Sequence, residues 1–260
     1  MFQETIKIDN LSKIFKQTKS LSQWCLHPLT KSKEIIALQD INLSVFSGEV
    51  YVLLGKNGAG KTTLLKILSS LILPTAGIVY IDGYDIQKCK KEIQPRIGFI
   101  SGEERSFYWR LTGWQNMIFF ASLYSFYGKK AKFKIKQLCN LLEIDYLDKI
   151  FQTYSSGMKQ RLNIARGLLS DPAVLLLDEP TKSIDPASAT QVHEILRKIA
   201  RQGKAILFTT HNLYEAQKLA NRLAILHKGR IKYKGDLNQV NKATNSKNLE
   251  ESFVKLTKEK

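Results

Sequence analysis

One stretch decides the fold: Val50-Tyr51-Val52-Leu53-Leu54-Gly55-Lys56-Asn57-Gly58-Ala59-Gly60-Lys61-Thr62. Its apolar first part predicts a strand that is buried on both faces. Its second part matches the phosphate-loop pattern G-x-x-x-x-G-K-[ST] in full, and a helical pattern continues from Lys61 to about Leu71. In such a strand–loop–helix unit, backbone N–H groups turn inward around phosphates and the helix amino terminus adds partial positive charge. The stretch therefore predicts a nucleotide-binding site.

The residues of this loop have separate predicted roles. Lys61 would reach the terminal phosphates, and the Thr62 hydroxyl would bind Mg²⁺. A chance glycine-rich turn is the alternative, but the buried strand before the loop and the helix after it disfavour that interpretation. The nucleotide-binding residues predicted in this region are Gly55, Lys56, Asn57, Gly58, Ala59, Gly60, Lys61, Thr62 and Thr63.

A pair of acids ends a later apolar run, Leu175-Leu176-Leu177-Asp178-Glu179. The carboxyl ends of strands are where ligands of open α/β sheets bind. Asp178 would hold Mg²⁺ through water, and Glu179 would orient or polarise an attacking water. Many strands end in a solvated acid, so this run alone is a weak signal. Together with the phosphate loop it favours a catalytic site.

The rest of the chain alternates strands and helices around a helical insert. Strand patterns precede and follow the phosphate loop, a helical pattern runs from about residue 114 to residue 166, and strands then return. This order predicts a parallel α/β core with a helical subdomain. We expect the first part of the core in residues 1–100, the helical subdomain in 101–168, the second part of the core in 169–236, and a polar tail with a short amphipathic helix in 237–260.

The composition is that of a folded protein with an anionic partner. The 260 residues are 43% hydrophobic and 24% charged, values that disfavour disorder and repeat arrays. A formal net charge of +17 indicates nucleic acid or a lipid surface as partner. Three scattered cysteines argue against a disulfide framework and against a structural zinc site. We expect no membrane span and no signal segment, and therefore a cytoplasmic chain.

Three further motifs resemble those of one family. The run Tyr154–Arg161 is similar to the Leu-Ser-Gly-Gly-Gln signature of ATP-binding-cassette (ABC) proteins, and Ser155 precedes Asp178 by the family's usual 23 residues. Thr181–Asp185 resembles the loop that meets a partner subunit, and Thr209–His211 resembles the switch loop. Five motifs thus stand in the family's order between about residues 5 and 235. The chain resembles the nucleotide-binding subunit of an ABC transporter.

The resemblance implies a fold, an activity and additional site residues. The fold would be α/β, a P-loop NTPase (RecA-like) core with an N-terminal antiparallel β-subdomain and a helical signature subdomain. Two copies, or this chain and a paired cassette subunit, would bury ATP and Mg²⁺ head to tail. Catalysis would rest on Lys61, Glu179 and His211. The other residues implied are Ser155 and the Gly157 backbone at the γ-phosphate of the opposite subunit, Asp185 in the loop that meets the partner, and Phe15 stacked on adenine.

The sequence departs from the family pattern in three places. Tyr154, Ser156 and Met158 stand where the signature usually has Leu, Gly and Gln, and Ser156 adds a side chain where backbone approaches nucleotide. No Gln follows the strand pattern ending at residue 100, where the family usually has one that senses Mg²⁺ and the membrane partner. Glu103 is the expected replacement. The segment between Phe15 and residue 37 is also long for the family.

This long segment and the aromatic run Ser106–Trp114 resemble the branch of the family that serves ABC-2 type exporters. The resemblance implies a motor subunit that works with a separate polytopic membrane permease, peripheral on the inner face of the cell membrane. Lysines clustered at residues 129–136 and elsewhere would suit an anionic leaflet. The alternative is a soluble ABC-type ATPase acting on nucleic acid or ribosomes, which the single compact cassette disfavours. The transported substrate does not follow from the sequence.

Overall fold

The computed structural model describes residues 3–16, 34–101 and 107–258. Within these ranges the chain forms two sheets with helices packed around them. The strands are β1 (Glu4–Lys16), β2 (Glu34–Phe46), β3 (Val50–Leu54), β4 (Ala76–Ile81), β5 (Tyr84–Asp85), β6 (Ile97–Ser101), β7 (Val174–Asp178), β8 (Ala205–Thr210), β9 (Arg222–His227) and β10 (Arg230–Asp236).

Along the chain, the described helices lie between the strands of the central sheet and after its last strand. They are α1 (Lys61–Leu68), α2 (Lys90–Ile93), α3 (Gly113–Leu123), α4 (Gly128–Leu142), α5 (Ser156–Gly167), α6 (Pro186–Arg201), α7 (Leu213–Leu219), α8 (Leu237–Ala243) and α9 (Leu249–Thr257), with 3₁₀ turns at Gln94–Arg96 and Phe151–Thr153. Helix α1 ends three residues before the sequence pattern predicts. Among the described helices, none combines the length and the apolar character that crossing a bilayer requires.

The central sheet has the strand order β10-β9-β3-β8-β7-β6. Its strands are parallel except for β10, which pairs antiparallel with β9. Every residue of β3 is buried, as its apolar run predicts. Because parallel strands end at the same edge of a sheet, the loops that follow β3, β7 and β8 converge. These are the phosphate loop, the acid pair and the switch loop.

The second sheet is antiparallel, with the order β2-β1-β4-β5, and corresponds to the expected N-terminal β-subdomain. Its inward side chains, including Ile8 and Leu38, share a hydrophobic core with Tyr51 and Leu53 of β3. The second sheet therefore packs against β3, the strand that leads into the phosphate loop. The α/β cassette fold predicted from the sequence is confirmed.

Helices α3, α4 and α5 form the helical part between β6 and β7. Thr112 caps α3 through a capping box with Gln115, which supplies hydrogen-bond partners for amides that the helix leaves free. Its core is aromatic: Phe107 stacks on Phe151 at a centroid distance of 4.6 Å, and Tyr154 packs beside them at 5.4 Å from Phe151. The unusual Tyr154 of the signature is thus a buried core residue.

The tail after β10 forms two helices, α8 and α9. Val240, Leu249 and Phe253 are buried in the same core as the central sheet. Val254, in contrast, is 43% exposed. The tail is polar in composition, but a few apolar side chains at helical spacing suffice to bury one face of each short helix against the core.

Candidate functional site

The phosphate loop follows β3 directly and is held by close backbone contacts. A side chain at Gly55 would place its Cβ 2.5 Å from the carbonyl oxygen of Leu226, and one at Gly60 would come within 2.7 Å of the Ala37 oxygen. Gly60 also has a φ of 109°, a conformation that favours glycine. The glycines of the motif are therefore required by neighbouring strands as well as by a phosphate.

The loop borders a cleft of about 790 Å³. Predicted residues from separate parts of the chain meet there, since Thr62, Asp178 and Glu179 all line it. Gly55 and Lys56 lie behind the cleft, where their carbonyl oxygens accept hydrogen bonds from the Lys61 ammonium at 2.7 and 3.2 Å. The lining is Ile35, Ile36, Ala37, Asn57, Gly58, Ala59, Gly60, Lys61, Thr62, Thr63, Lys66, Phe99, Ser101, Asp178, Glu179, Lys182 and Ser183.

The Glu179 carboxylate lies among nitrogen atoms of two lysines and one histidine. Its Oε1 is 3.0 Å from Nζ of Lys61, and its Oε2 is 3.2 Å from Nδ1 of His211. Nζ of Lys182 approaches Oε2 at 3.5 Å. The three residues predicted to be catalytic, Lys61, Glu179 and His211, are therefore in mutual contact through Glu179.

Glu179 is held in this position by its backbone. Its φ is 45°, in the left-handed region that non-glycine residues rarely occupy. Its N–H donates to the Thr209 hydroxyl at 3.0 Å, and that hydroxyl donates to Oδ1 of Asp178 at 2.8 Å. Thr209 thereby joins β7 to β8 behind both acids. Sequence analysis placed Thr209 in the switch motif but missed this role.

Two opposing effects act on the acidity of Glu179. Burial raises the pKa of its carboxyl, whereas the hydrogen bond and charge of Lys61 and the neighbouring His211 lower it. The lowering effects prevail, so the pKa lies below the ordinary glutamate value. Glu179 is therefore ionised at neutral pH, as a residue that polarises water has to be.

Thr62 and Asp178 provide a donor set that suits Mg²⁺. Both line the same cleft, and one Asp178 oxygen takes the Thr209 hydrogen bond, which leaves the other for a cation or its water. Within the described ranges no cluster of three or more His, Cys, Asp or Glu side chains could hold a metal by itself. Mg²⁺ typically uses one or two protein oxygens together with water and substrate phosphates. The predicted third residue, Glu103, lies outside the described residues.

The signature residues lie away from the cleft of their own chain, since neither Ser155 nor Gly157 lines it. Ser155 caps α5, with its hydroxyl accepting from the Met158 N–H at 3.2 Å. Asp185 caps α6 in the same way, accepting from the Ser188 N–H at 2.9 Å. These backbone hydrogen bonds lower the pKa of Asp185. Both predicted residues thus mark helix amino termini.

Phe15 does not line the cleft, but its strand neighbour does. It pairs with Ile35 across β1 and β2, and Ile35 and Ile36 form an apolar margin of the cleft. Phe15 is 39% exposed, with the Lys13 ammonium 5.0 Å from its ring centroid. Sequence analysis missed the isoleucines. The signal available was two apolar residues directly before Ala37, at the start of the long strand β2.

Comparison with known proteins agrees with this site. Residues 38–182 match the ABC transporter family model. The chain is 35% identical over 225 residues to the ABC transporter ATP-binding protein NatA of Bacillus subtilis, covering 86% of this chain and 92% of NatA. It is 38% identical to the daunorubicin resistance ATP-binding protein DrrA2 of Streptomyces coeruleorubidus, covering 75% and 60% of the two chains. It is 36% identical to the bacitracin transport ATP-binding protein BcrA of Bacillus licheniformis, covering 75% of this chain and 63% of BcrA.

Solved structures give the same result. An ATP-binding subunit of an ABC transporter aligns with a TM-score of 0.77 at 26% identity, covering 98% of this chain and all of the other. A dimeric bacterial ABC transporter cassette aligns with a TM-score of 0.74 at 25% identity, covering 89% and 98%. The fold and site define a phosphate-loop ATPase. The chain belongs to the ABC transporter family and is an ATP-binding, ATP-hydrolysing subunit. Drug and bacitracin transport relatives place it near the ABC-2 exporter branch, as predicted.

Proposed function

We propose that this chain is the motor of an exporter, in which Mg-ATP joins two cassettes and hydrolysis releases them. The observation that carries the proposal is the contact of Glu179 with both Lys61 and His211 at the edge of the nucleotide-sized cleft. These residues come from three different loops of one sheet edge. Bound Mg²⁺, held through Thr62 and Asp178, would add charge stabilisation at the phosphates.

Lys61 and Glu179 have linked roles in this mechanism. Lys61 satisfies its charge on Glu179 and on the Gly55 and Lys56 carbonyls. Phosphate oxygens are stronger partners for an ammonium, so the arrival of ATP would draw Lys61 away from Glu179. The carboxylate is then free to accept a proton from water aligned with the γ-phosphate. His211 would hold the γ-phosphate and keep Glu179 oriented.

The signature supports a second copy, or a paired cassette, as the partner. Ser155 and Gly157 lie outside the cleft of their own chain, and they stand at the amino terminus of α5, a position that suits an anion. A head-to-tail partner would bring this terminus to the γ-phosphate. Asp185, at the start of α6, would contact the partner beside it. The dimeric cassette among the structural relatives supports this arrangement.

A membrane permease is the other expected partner. The helical part exposes Tyr108 and Trp109, at 49% and 45%, while Phe107 in the same run is buried. Phe119 extends this exposed aromatic surface, 5.0 Å from the Tyr108 ring. Aromatic side chains at a surface are typical of protein interfaces. The surface supports docking of a permease, which would hold the chain at the inner face of the membrane. An anionic leaflet would favour the basic chain further.

Two measurements test the proposal. The purified chain should hydrolyse ATP with Mg²⁺ and lose this activity when EDTA removes the metal. Co-expressed with a candidate polytopic permease from the same genome, the chain should co-purify in detergent. Trp109→Ala should weaken the complex, whereas Phe133→Ala, which changes another exposed aromatic, should not. Binding of nucleic acid at physiological salt, without a membrane complex, would favour the alternative function.

A further inference from the structure

Glu215 of helix α7 is a buried carboxylate with two hydroxyl partners on separate loops. Glu215 is 8% exposed. Oε2 accepts a hydrogen bond from the Thr210 hydroxyl at 2.5 Å, and Oε1 accepts one from the Thr181 hydroxyl. Thr181 and Thr210 are themselves buried, at 6% and 2% exposed. A carboxylate removed from water in this way is costly unless both oxygens are satisfied.

The two hydroxyls belong to the two loops that provide the catalytic residues. Thr181 lies two residues after Glu179, in the loop that continues to Asp185. Thr210 is the last residue of β8 and directly precedes His211. The Thr210 oxygen also accepts from the N–H of Asn212, so the threonine is fixed on both sides of its hydroxyl. Glu215 therefore joins the Glu179 loop to the His211 loop.

This link is separate from the one made by Thr209. Thr209 connects Asp178 and the Glu179 backbone at the ends of the strands. Glu215 links Thr210, the last residue of β8, to Thr181, which lies beyond the last β7–β8 pair, Asp178 with Thr209. The Glu179 and His211 side chains also contact each other directly, at 3.2 Å.

The charge on Glu215 is maintained by its surroundings. Burial raises the pKa of its carboxyl, but His193 and the hydroxyls of Thr181 and Thr210 lower it by more, so that it lies below the ordinary value. Nε2 of His193, on α6, is 3.6 Å from Oε1 and has no hydrogen-bond partner within the described part of the chain. An ionised carboxylate accepts from both hydroxyls, which a neutral acid or amide cannot do.

We propose that Glu215 is a positioning residue for ATP hydrolysis, which fixes Glu179 and His211 relative to each other through Thr181 and Thr210. The inference rests on the proposed roles of Glu179 and His211. Glu215 does not line the nucleotide cleft, so it acts through the two threonines and not on ATP. Small displacements of a catalytic group cost much rate while leaving substrate binding intact.

The test compares substitutions at all three residues by steady-state ATPase kinetics and by equilibrium binding of a fluorescent ATP analogue. In Glu215→Gln, one amide oxygen replaces two acceptors, and we expect kcat to fall roughly ten- to hundredfold with KM and nucleotide affinity within about twofold. Thr181→Val and Thr210→Val should lower kcat similarly, whereas Thr181→Ser and Thr210→Ser, which keep the hydroxyl, should retain it. Thr190→Val is the matched control, since that hydroxyl donates to the Pro186 carbonyl of its own helix.

Non-additivity separates positioning from general destabilisation. Adding Thr181→Val to Glu215→Gln should lower kcat no further, because the link is already broken. Equal kcat in Glu215→Gln and the parent, or equal loss in the Ser and Val variants, would overturn the proposal. If Glu179→Gln and His211→Ala kept full activity, the proposed catalytic roles of Glu179 and His211 would be refuted, and the positioning role of Glu215 with them. Loss of kcat in those two but not in Glu215→Gln would refute the positioning role alone.

Discussion

The Lys61 ammonium and the Glu179 carboxylate form an ion pair across the phosphate-loop cleft, with Nζ 3.0 Å from Oε1. Lys61 is 5% exposed and the Glu179 side chain 16%. The pair joins the start of α1 to the end of β7, and it occupies the donor that a terminal phosphate would need. In the proposed mechanism, nucleotide binding and activation of Glu179 are one exchange of partners, so substitution of each residue should have a separately measurable effect.

Glu179→Gln should abolish most hydrolysis and keep nucleotide binding. The amide retains the shape of the side chain but cannot accept a proton, so the rate should fall by about two orders of magnitude or more. Affinity for Mg-ATP should hold or rise, because Lys61 no longer has a charged partner to leave. Phosphate release measures the first quantity, and equilibrium titration with a fluorescent ATP analogue the second.

Two controls accompany this variant. Glu143→Gln alters an exposed carboxylate that pairs with Lys198 and should leave the rate unchanged. Size-exclusion chromatography with Mg-ATP should show a dimer for Glu179→Gln and a monomer for Ser155→Arg/Glu179→Gln, because Arg at 155 blocks the signature contact. Normal hydrolysis by Glu179→Gln would falsify its assignment as the residue that activates water.

Lys61→Ala should weaken ATP binding by about 10- to 100-fold, the range for losing a charge-assisted hydrogen bond. The backbone amides of the loop remain, so binding should persist at high nucleotide concentration. Lys198→Ala, which removes an exposed lysine paired with Glu143, is the matched control. Unchanged affinity together with unchanged hydrolysis would contradict the phosphate-loop role of Lys61.

Acid pH should act on the ion pair in a defined direction. The pKa of Glu179 is lowered from 4.5, so ionised Glu179 stabilises the folded protein above that value. This contribution is lost as the pH falls from 4.5 through the lowered pKa. Urea unfolding between about pH 6 and pH 3 should therefore show a smaller decline for Glu179→Gln than for the parent. If the free energies of unfolding of the two proteins changed in parallel with pH, the Lys61–Glu179 ion pair would add no net stability.

Gly157→Ala should destabilise the protein although Ala favours helices. Its Cβ would lie 2.7 Å from Oγ and 2.8 Å from Cβ of Ser188, and the latter cannot rotate away. Helices α5 and α6 would have to move apart, at a cost of about 1–3 kcal/mol in the free energy of unfolding. Chemical unfolding measures this, with Ser156→Ala as the neighbouring control. Ser188→Gly should recover part of the loss in the double variant, and an additive double variant would argue against the contact.

The tail should contribute to stability and not to nucleotide binding. Phe253 is 8% exposed and belongs to the main core, whereas Val254 is 43% exposed. Phe253→Ala should cost about 3–5 kcal/mol and Val254→Ala less than about 1 kcal/mol, as judged by unfolding midpoints. Truncation after Asp236 should lower the melting temperature further and preserve ATP binding at low temperature, since none of the tail's described residues lines the cleft. Equal midpoints for the two substitutions would mean that α9 is not docked.

Motifs whose parts are consecutive were readable from the sequence. The apolar strand, the glycine loop and the acid pair each depend on local backbone geometry, which neighbouring residues decide. The strand order was less accessible, but the alternation of strands and helices sufficed for the α/β class. In the tail, the apolar spacing predicted one amphipathic helix, but the burial of Val240 and Leu249 depends on the sheet that lies opposite them.

The sequence by itself determined which residues can bind phosphate, ionise or cap a helix. Only the tertiary structure decided that Glu179 meets Lys61 and His211, and that Glu215 joins the loops on either side of them. The physical reason is distance along the chain: Lys61 and Glu179 are 118 residues apart, and no local propensity carries information over that separation. Contacts of this kind exist because parallel strands end at one sheet edge, and their energies depend on the burial that the packed fold imposes.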